Sequence, residues 1–152
     1  MSYKLYLGTK FSWDELKNVV INVFNENVIR GMQIYKNADK FSIGCDWFTL
    51  YISDSSEGIG FASEDYALDL KYQFWFDLLS SVEGSTEMML NVIGRILEQI
   101  SGDAILMWNG ELPIMERRNG IITVDDKMSD PQGPPYPFEQ MNVQYQKGYL
   151  KL

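Results

Sequence analysis

The 21 Asp and Glu side chains are the first groups in this chain to weigh for acid or base chemistry, because histidine is absent and cysteine occurs once, at Cys45. Without imidazole there is no Ser-His-Asp or Cys-His nucleophilic pair and no His-based metal site. One thiol forms no internal disulfide and leaves no zinc ligand pattern, which suits a reducing, cytoplasmic compartment. An enzyme would have to rely on carboxylates, hydroxyls, Lys or Arg, and paired carboxylates are the first of these to test. Asp69 and Asp77 lie eight residues apart on what reads as one strand face, too far apart to act together, and the neighbours Glu64 and Asp65 would point to opposite sides of an extended chain. No catalytic constellation converges, and a solvated acidic face is the better account.

Other motifs fail on inspection. Asp54-Ser55-Ser56-Glu57-Gly58 lacks the alternating acids and distal Glu of a calcium loop. Gly58-Ile59-Gly60 lacks a third glycine and a following helix start, and no Walker-type Gly-Lys-Ser/Thr occurs. Cys45 falls in an apolar alternation with Phe41 and Ile43 and reads as a buried, inert thiol. Neither a metal nor a cofactor is expected. Trp75 is different: among Asp69, Lys71, Gln73 and Asp77 it is either an interface anchor or a ring covered by aromatics from the C-terminus.

Charge narrows the choice of partner. Thirteen bases against 21 acids give −8, which disfavours nucleic acid and anionic lipid. The segment Asp39 to Glu87 holds ten acids and only Lys40 and Lys71, so it carries the whole excess, and the remainder is neutral. A basic partner fits this distribution. The N-terminus lacks an apolar stretch of signal-peptide length, and no window reaches membrane-spanning length, so the expected protein is neither secreted nor membrane-bound.

The elements that would position these residues follow from periodicity. Tyr3 to Leu7 alternates as a strand before Gly8. Ser12 and Glu15 form a capping box, Phe11 and Leu16 a hydrophobic staple, and Trp13, Leu16, Val20, Val23 and Phe24 an apolar helix stripe. A period of two then predicts strands at Met32 to Lys36, Phe41 to Cys45, Trp47 to Ser53 and Tyr66 to Leu79. In the last, Leu68, Leu70, Tyr72, Phe74, Phe76 and Leu78 share one face. A second helix is expected from about Thr86 to Ile100, N-capped by Ser85 and ended by Gly102. Ala104 to Trp108 reads as a strand buried on both faces. The Asn109-Gly110 and Asn119-Gly120 pairs suit type I′ turns, and Pro113 argues that its strand is an edge or begins there.

These elements predict a single α+β domain: a mainly antiparallel twisted sheet with two amphipathic helices on one face over residues 1–125. Residues 126–152 form a proline- and aromatic-rich tail. Six large side chains (Tyr136, Phe138, Met141, Val143, Tyr145, Tyr149) favour wrapping over a loose end.

With those elements in place, the chain resembles the immunity proteins that protect bacteria against swarming-inhibition and related contact-delivered polymorphic toxins. The likeness is most distinctive in Gly102-Asp103-Ala104-Ile105-Leu106-Met107-Trp108-Asn109-Gly110-Glu111, which looks like the family's helix exit, apolar strand and closing turn. The aromatic strand Leu70 to Asp77, the helix Glu87 to Ile100 and the opening strand Tyr3 to Leu7 fall in the family's order, so the likeness spans roughly residues 3 to 125. The tail from Asp126 and the long acidic middle depart from that pattern. The resemblance implies a non-enzymatic cytoplasmic binder that neutralises a toxin domain by covering its active site or a neighbouring surface.

The acidic stretch would speed encounter with a basic cleft and match it in sign. The expected interface is the wet face carrying Asp46, Asp54, Glu57, Glu64, Asp65, Asp69, Trp75 and Asp77. A nucleic-acid mimic inhibiting a DNA- or RNA-binding enzyme would use the same acidity but calls for phosphate-like regularity, which Tyr66, Leu68 and Phe74 interrupt. A carboxylate-dependent hydrolase is the weaker rival. Exposed sheet edges permit a homodimer without predicting one.

Overall fold

The computed structural model describes residues 1–27, 29–36, 41–79, 81–109, 112–125 and 136–150. Along the chain run β1 (Ser2–Leu7), α1 (Trp13–Glu26), β2 (Gln33–Lys36), β3 (Phe41–Gly44), β4 (Phe48–Ser53), α2 (Glu57–Tyr66) and β5 (Tyr72–Leu78). Then come α3 (Ser85–Gln99), β6 (Ala104–Trp108), β7 (Leu112–Arg118), β8 (Ile121–Asp125), a 3-10 turn (Phe138–Met141) and β9 (Gln146–Gly148). The strands form one sheet in the order β2-β3-β4-β5-β1-β6-β7-β8-β9, antiparallel except where β9 runs parallel to β8. The expected α+β class and mainly antiparallel sheet are present.

One face of this sheet is the main core. Ser12 caps α1 reciprocally, its hydroxyl accepting from Glu15 N–H at 3.2 Å while Glu15 Oε1 accepts from Ser12 N–H at 3.1 Å. Leu16, Val20, Val23 and Phe24 of α1, and Met89, Leu90, Val92, Ile93, Ile96 and Leu97 of α3, are buried against Leu5, Leu7, Phe48, Leu50, Phe74, Phe76 and Leu106. Each fully buried side chain of this kind contributes about 1.5–3 kcal/mol of transfer free energy. The α3 helix begins one residue earlier than its sequence suggests. Gly84, at φ +86°, is the cap, and the Ser85 hydroxyl turns back to donate to the Leu79 and Val82 carbonyls.

The opposite face, termed the outer face below, carries a third helix that the sequence reading does not contain. Ile59 and Ala62 of α2 cover Tyr6, Ile105 and Met107, the residues of β1 and β6 that alternate with Leu5, Leu7 and Leu106. The expected strand Tyr66 to Leu79 is thereby corrected: residues up to Tyr66 are helical, Ala67 turns the chain at φ 52°, and pairing starts at Tyr72. Leu68 and Leu70 join the outer cluster while Tyr72, Phe74 and Phe76 join the main core, so they do not share a face. The period-two pattern runs straight through a change of face. Glu64 and Asp65, read as strand neighbours, are consecutive helical residues.

Ala104 and Leu106 enter the main core and Ile105 and Met107 the outer cluster, so β6 is buried on both sides as expected. Asn119 and Gly120 both have positive φ at the β7–β8 turn. Pro113 stands opposite Met107 at an irregularity in the β6–β7 register. It lies outside the stretch of β7, Met115 to Arg118, that pairs with β8, so its missing N–H is tolerated at the start of an interior strand. Gly110, Glu111 and the stretch 126–135 lie outside the described residues. Of the C-terminal segment, Phe138 and Met141 are buried in the main core with Tyr136, Val143 and Tyr145 packed on it.

Candidate functional site

Strand register sets a row of side chains across the outer face: Tyr35 opposite Ser42, Ser42 opposite Tyr51, Tyr51 opposite Trp75, and Trp75 opposite Lys4. The Tyr51 and Trp75 rings stack 5.0 Å apart at 32°. This explains why Trp75 is only 37% exposed. Its cover is Tyr51, whereas Tyr136 and Tyr145 of the C-terminal segment pack on the helix side of the sheet. Tyr35, Tyr51, Trp75, Ser42, Ser53 and Gln73 line an open groove of about 950 Å³ in this half of the face.

The other half is occupied by α2. At its start the Ser56 hydroxyl donates to Gln73 Oε1 at 2.7 Å. Gly58 gives room there, because a Cβ would stand 2.6 Å from the Tyr6 hydroxyl and one of the two would have to shift. At the far end Arg118 of β7 donates to the Tyr66 carbonyl at 2.8 Å and the Ala67 carbonyl at 3.3 Å. The helix thus crosses the sheet from β5 to β7 and leaves its own outward side to solvent. On that side Phe61 is 64% exposed, flanked at helical spacing by Glu57, Glu64 and Asp65.

All eight residues selected from the sequence are exposed, but they do not form one continuous face. Glu57, Glu64 and Asp65 gather on the outward side of α2, with Asp54 in the turn leading into it. Trp75 and Asp77 project from β5 on the same side of the sheet as Gln73. Asp46 sits in the β3–β4 turn, where its carboxylate lies 3.9 Å from Arg30 and against Gly31, while its N–H donates to the Arg30 carbonyl. Asp69 lines a separate cleft with Gly8, Lys10, Lys71 and Asp103. Phe61, Tyr51 and Tyr35 were not selected. Tyr35 and Tyr51 were recoverable as outward positions of their alternating strands, whereas Phe61 has no place on an outer surface until α2 is known to be a helix.

Two further titratable groups serve the scaffold. The Cys45 thiol is half-buried, not fully buried as the alternation suggests; it donates to the Phe48 carbonyl at 3.4 Å, and the partial burial pushes its pKa up, leaving it a poor nucleophile. Arg117 is 6% exposed and donates to the carbonyls of Leu97, Ile100 and Gly102 at 2.6–2.7 Å, holding the C-terminal end of α3. Burial lowers its pKa from the ordinary value, opposed by Asp103. Among the described residues, no three Asp, Glu or Cys side chains converge as metal ligands. No described helix is long and apolar enough to cross a membrane.

The described residues thus form an α+β scaffold that presents carboxylates and exposed rings on its outer face. Residues 1–135 match the SitI3-like family, and the chain belongs to that family. The match extends past residue 125, where the sequence pattern was expected to end. No curated protein and no solved structure matches the chain.

Proposed function

We propose that this protein is a non-enzymatic immunity protein that acts in the cytoplasm by binding and neutralising a cognate toxin domain with a basic surface. Membership of the SitI3-like family carries the reading. The outer side of the sheet supports it, because the Tyr51–Trp75 pair offers apolar contact and Phe61 stands among the carboxylates of Glu57, Glu64 and Asp65. In this proposal Asp54, Glu57, Glu64, Asp65, Trp75 and Asp77 form the interface, with Asp46 and Asp69 at its margins.

The test is co-expression with the C-terminal domain of the large open reading frame adjacent to the gene, scoring growth rescue and co-purification together. Rescue with a stable, salt-sensitive complex is the expected result. A toxic neighbour that is neither rescued nor bound sinks the reading. Charge reversal of Glu57, Glu64 and Asp65 together should slow association markedly, and unchanged binding would remove the acidic side from the interface.

A further inference from the structure

The outward side of α2 contains two features that the folded chain does not explain. Among the described residues Phe61 is the most exposed of the large apolar side chains, at 64%. Gly60 sits beside it, exposed in the middle of a ten-residue helix, with nothing within 4 Å of where a Cβ would stand. Glycine inside a helix is unfavourable relative to alanine. Gly58 has a reason to be glycine, the Tyr6 hydroxyl beneath it, but Gly60 faces open space. A bare backbone next to an exposed ring is what close approach by another surface needs.

Charge indicates what that surface is. Between Ser53 and Leu70 the chain carries Asp54, Glu57, Glu64, Asp65 and Asp69 and no Lys or Arg. Among the described residues none of these five takes part in an ion pair, although Asp14, Asp46, Glu98 and Glu116 each do. The helix is anchored at both ends by Ser56–Gln73 and Arg118–Tyr66, so the ring is presented on a fixed support, which limits the ordering lost on binding.

We propose that α2 is the primary recognition element of this protein. Phe61 enters an apolar depression on a partner protein, Gly60 lets the rim of that depression reach the helix backbone, and Glu57, Glu64 and Asp65 pair with Lys or Arg side chains around it. This rests on the toxin-binding reading above and names the element that performs it. The Tyr51–Trp75 shelf then flanks the anchor.

The experiment uses the full chain and the toxin domain identified by rescue. Phe61→Ala is expected to weaken the complex by at least ~30-fold, the scale of an interface hot spot, with an unchanged unfolding midpoint. Gly60→Ala is expected to raise the midpoint by about 2 °C, as for any exposed helical glycine, while weakening the complex ~10-fold or more. This opposite movement of stability and affinity is not expected of a purely structural glycine. If wild-type protein rescues and binds but both variants bind as tightly as wild type, α2 is not the anchor and the toxin-binding reading stands without it. If wild-type protein binds no toxin domain, the functional reading itself fails.

Discussion

Arg117 and Arg118 are adjacent on β7 and hold the C-terminal ends of two different helices on opposite faces of the sheet. Arg117 donates to the Leu97, Ile100 and Gly102 carbonyls at the end of α3, and Arg118 to the Tyr66 and Ala67 carbonyls at the end of α2. Strand alternation sends consecutive side chains to opposite faces, and each guanidinium meets terminal carbonyls whose partial negative charge it complements. The two differ in exposure: Arg117 is 6% exposed, whereas the Arg118 side chain is 41% exposed and shared with Glu116 at 3.4 Å.

That difference sets the first prediction. Arg117→Ala strands three carbonyl groups and should destabilise the protein by about 3 kcal/mol. Arg118→Ala, whose partners water can reach, should cost less than about 1 kcal/mol. Urea denaturation of both variants decides this, and equal losses would contradict the assignment of Arg117 as the buried clamp.

Ala67 ends α2 in the left-handed region at φ 52°, a conformation that a Cβ disfavours. Ala67→Gly should therefore stabilise the protein by about 0.5–1 kcal/mol despite the greater freedom glycine adds to the unfolded chain. A lower unfolding midpoint for this variant would show that the turn is not strained.

The 3-10 turn depends on Gly94 of α3. A Cβ at this position would lie 2.0 Å from the Met141 carbonyl oxygen, a backbone atom that cannot swing aside, and next to it Arg95 donates to the same carbonyl at 2.7 Å. Gly94→Ala should lift the turn, cost about 1–3 kcal/mol and expose the segment 136–150 to proteolysis. Cleavage mapped by mass spectrometry should fall in that segment, and an unchanged digestion pattern would rule out the packing described.

Alkaline pH should weaken the fold. Burial, followed by the hydrogen bond to Tyr136, holds the Tyr3 phenol well above its ordinary pKa, and burial raises Tyr6 as well. A raised folded-state pKa means that the unfolded chain releases its proton first, near pH 10. The contribution is present in full below about pH 10 and is lost as pH rises beyond it. Tyr3→Phe should make the fall of stability with pH shallower by up to about 1.4 kcal/mol per pH unit above that point. Denaturation at pH 9, 10 and 11 measures the slope, and parallel curves for the two proteins would refute it.

Local signals carried much of the helix face. Ser12 and Glu15 lie three residues apart, close enough to form their box in an isolated peptide, and the stripes of α1 and α3 have the same period whatever they pack against. The α2 helix had no comparable signal. It contains two glycines, buries only Ile59 and Ala62, and uses Ser56 to bind Gln73 instead of capping its own first turn. What keeps it helical is the outer cluster beneath it and Arg118 at its end, contacts that span about 50 residues of chain. Leu68 and Leu70 show the same limit, since alternation records that side chains are buried but not on which side of the sheet.

The acidic segment was legible as composition, but its division into Glu57, Glu64 and Asp65 around Phe61, Trp75 and Asp77 on the sheet, and Asp46 and Asp69 elsewhere was not. Sequence by itself determined the α+β class, the two amphipathic helices, the doubly buried β6 and the absence of imidazole and disulfide chemistry. Each of these follows from residue type or from periodicity within one element. Tertiary structure alone decided which face each strand residue took, that residues 57–66 are a helix, and which exposed ring stands among the carboxylates. Those outcomes depend on contacts between segments distant in the chain, whose energies outweigh local preference.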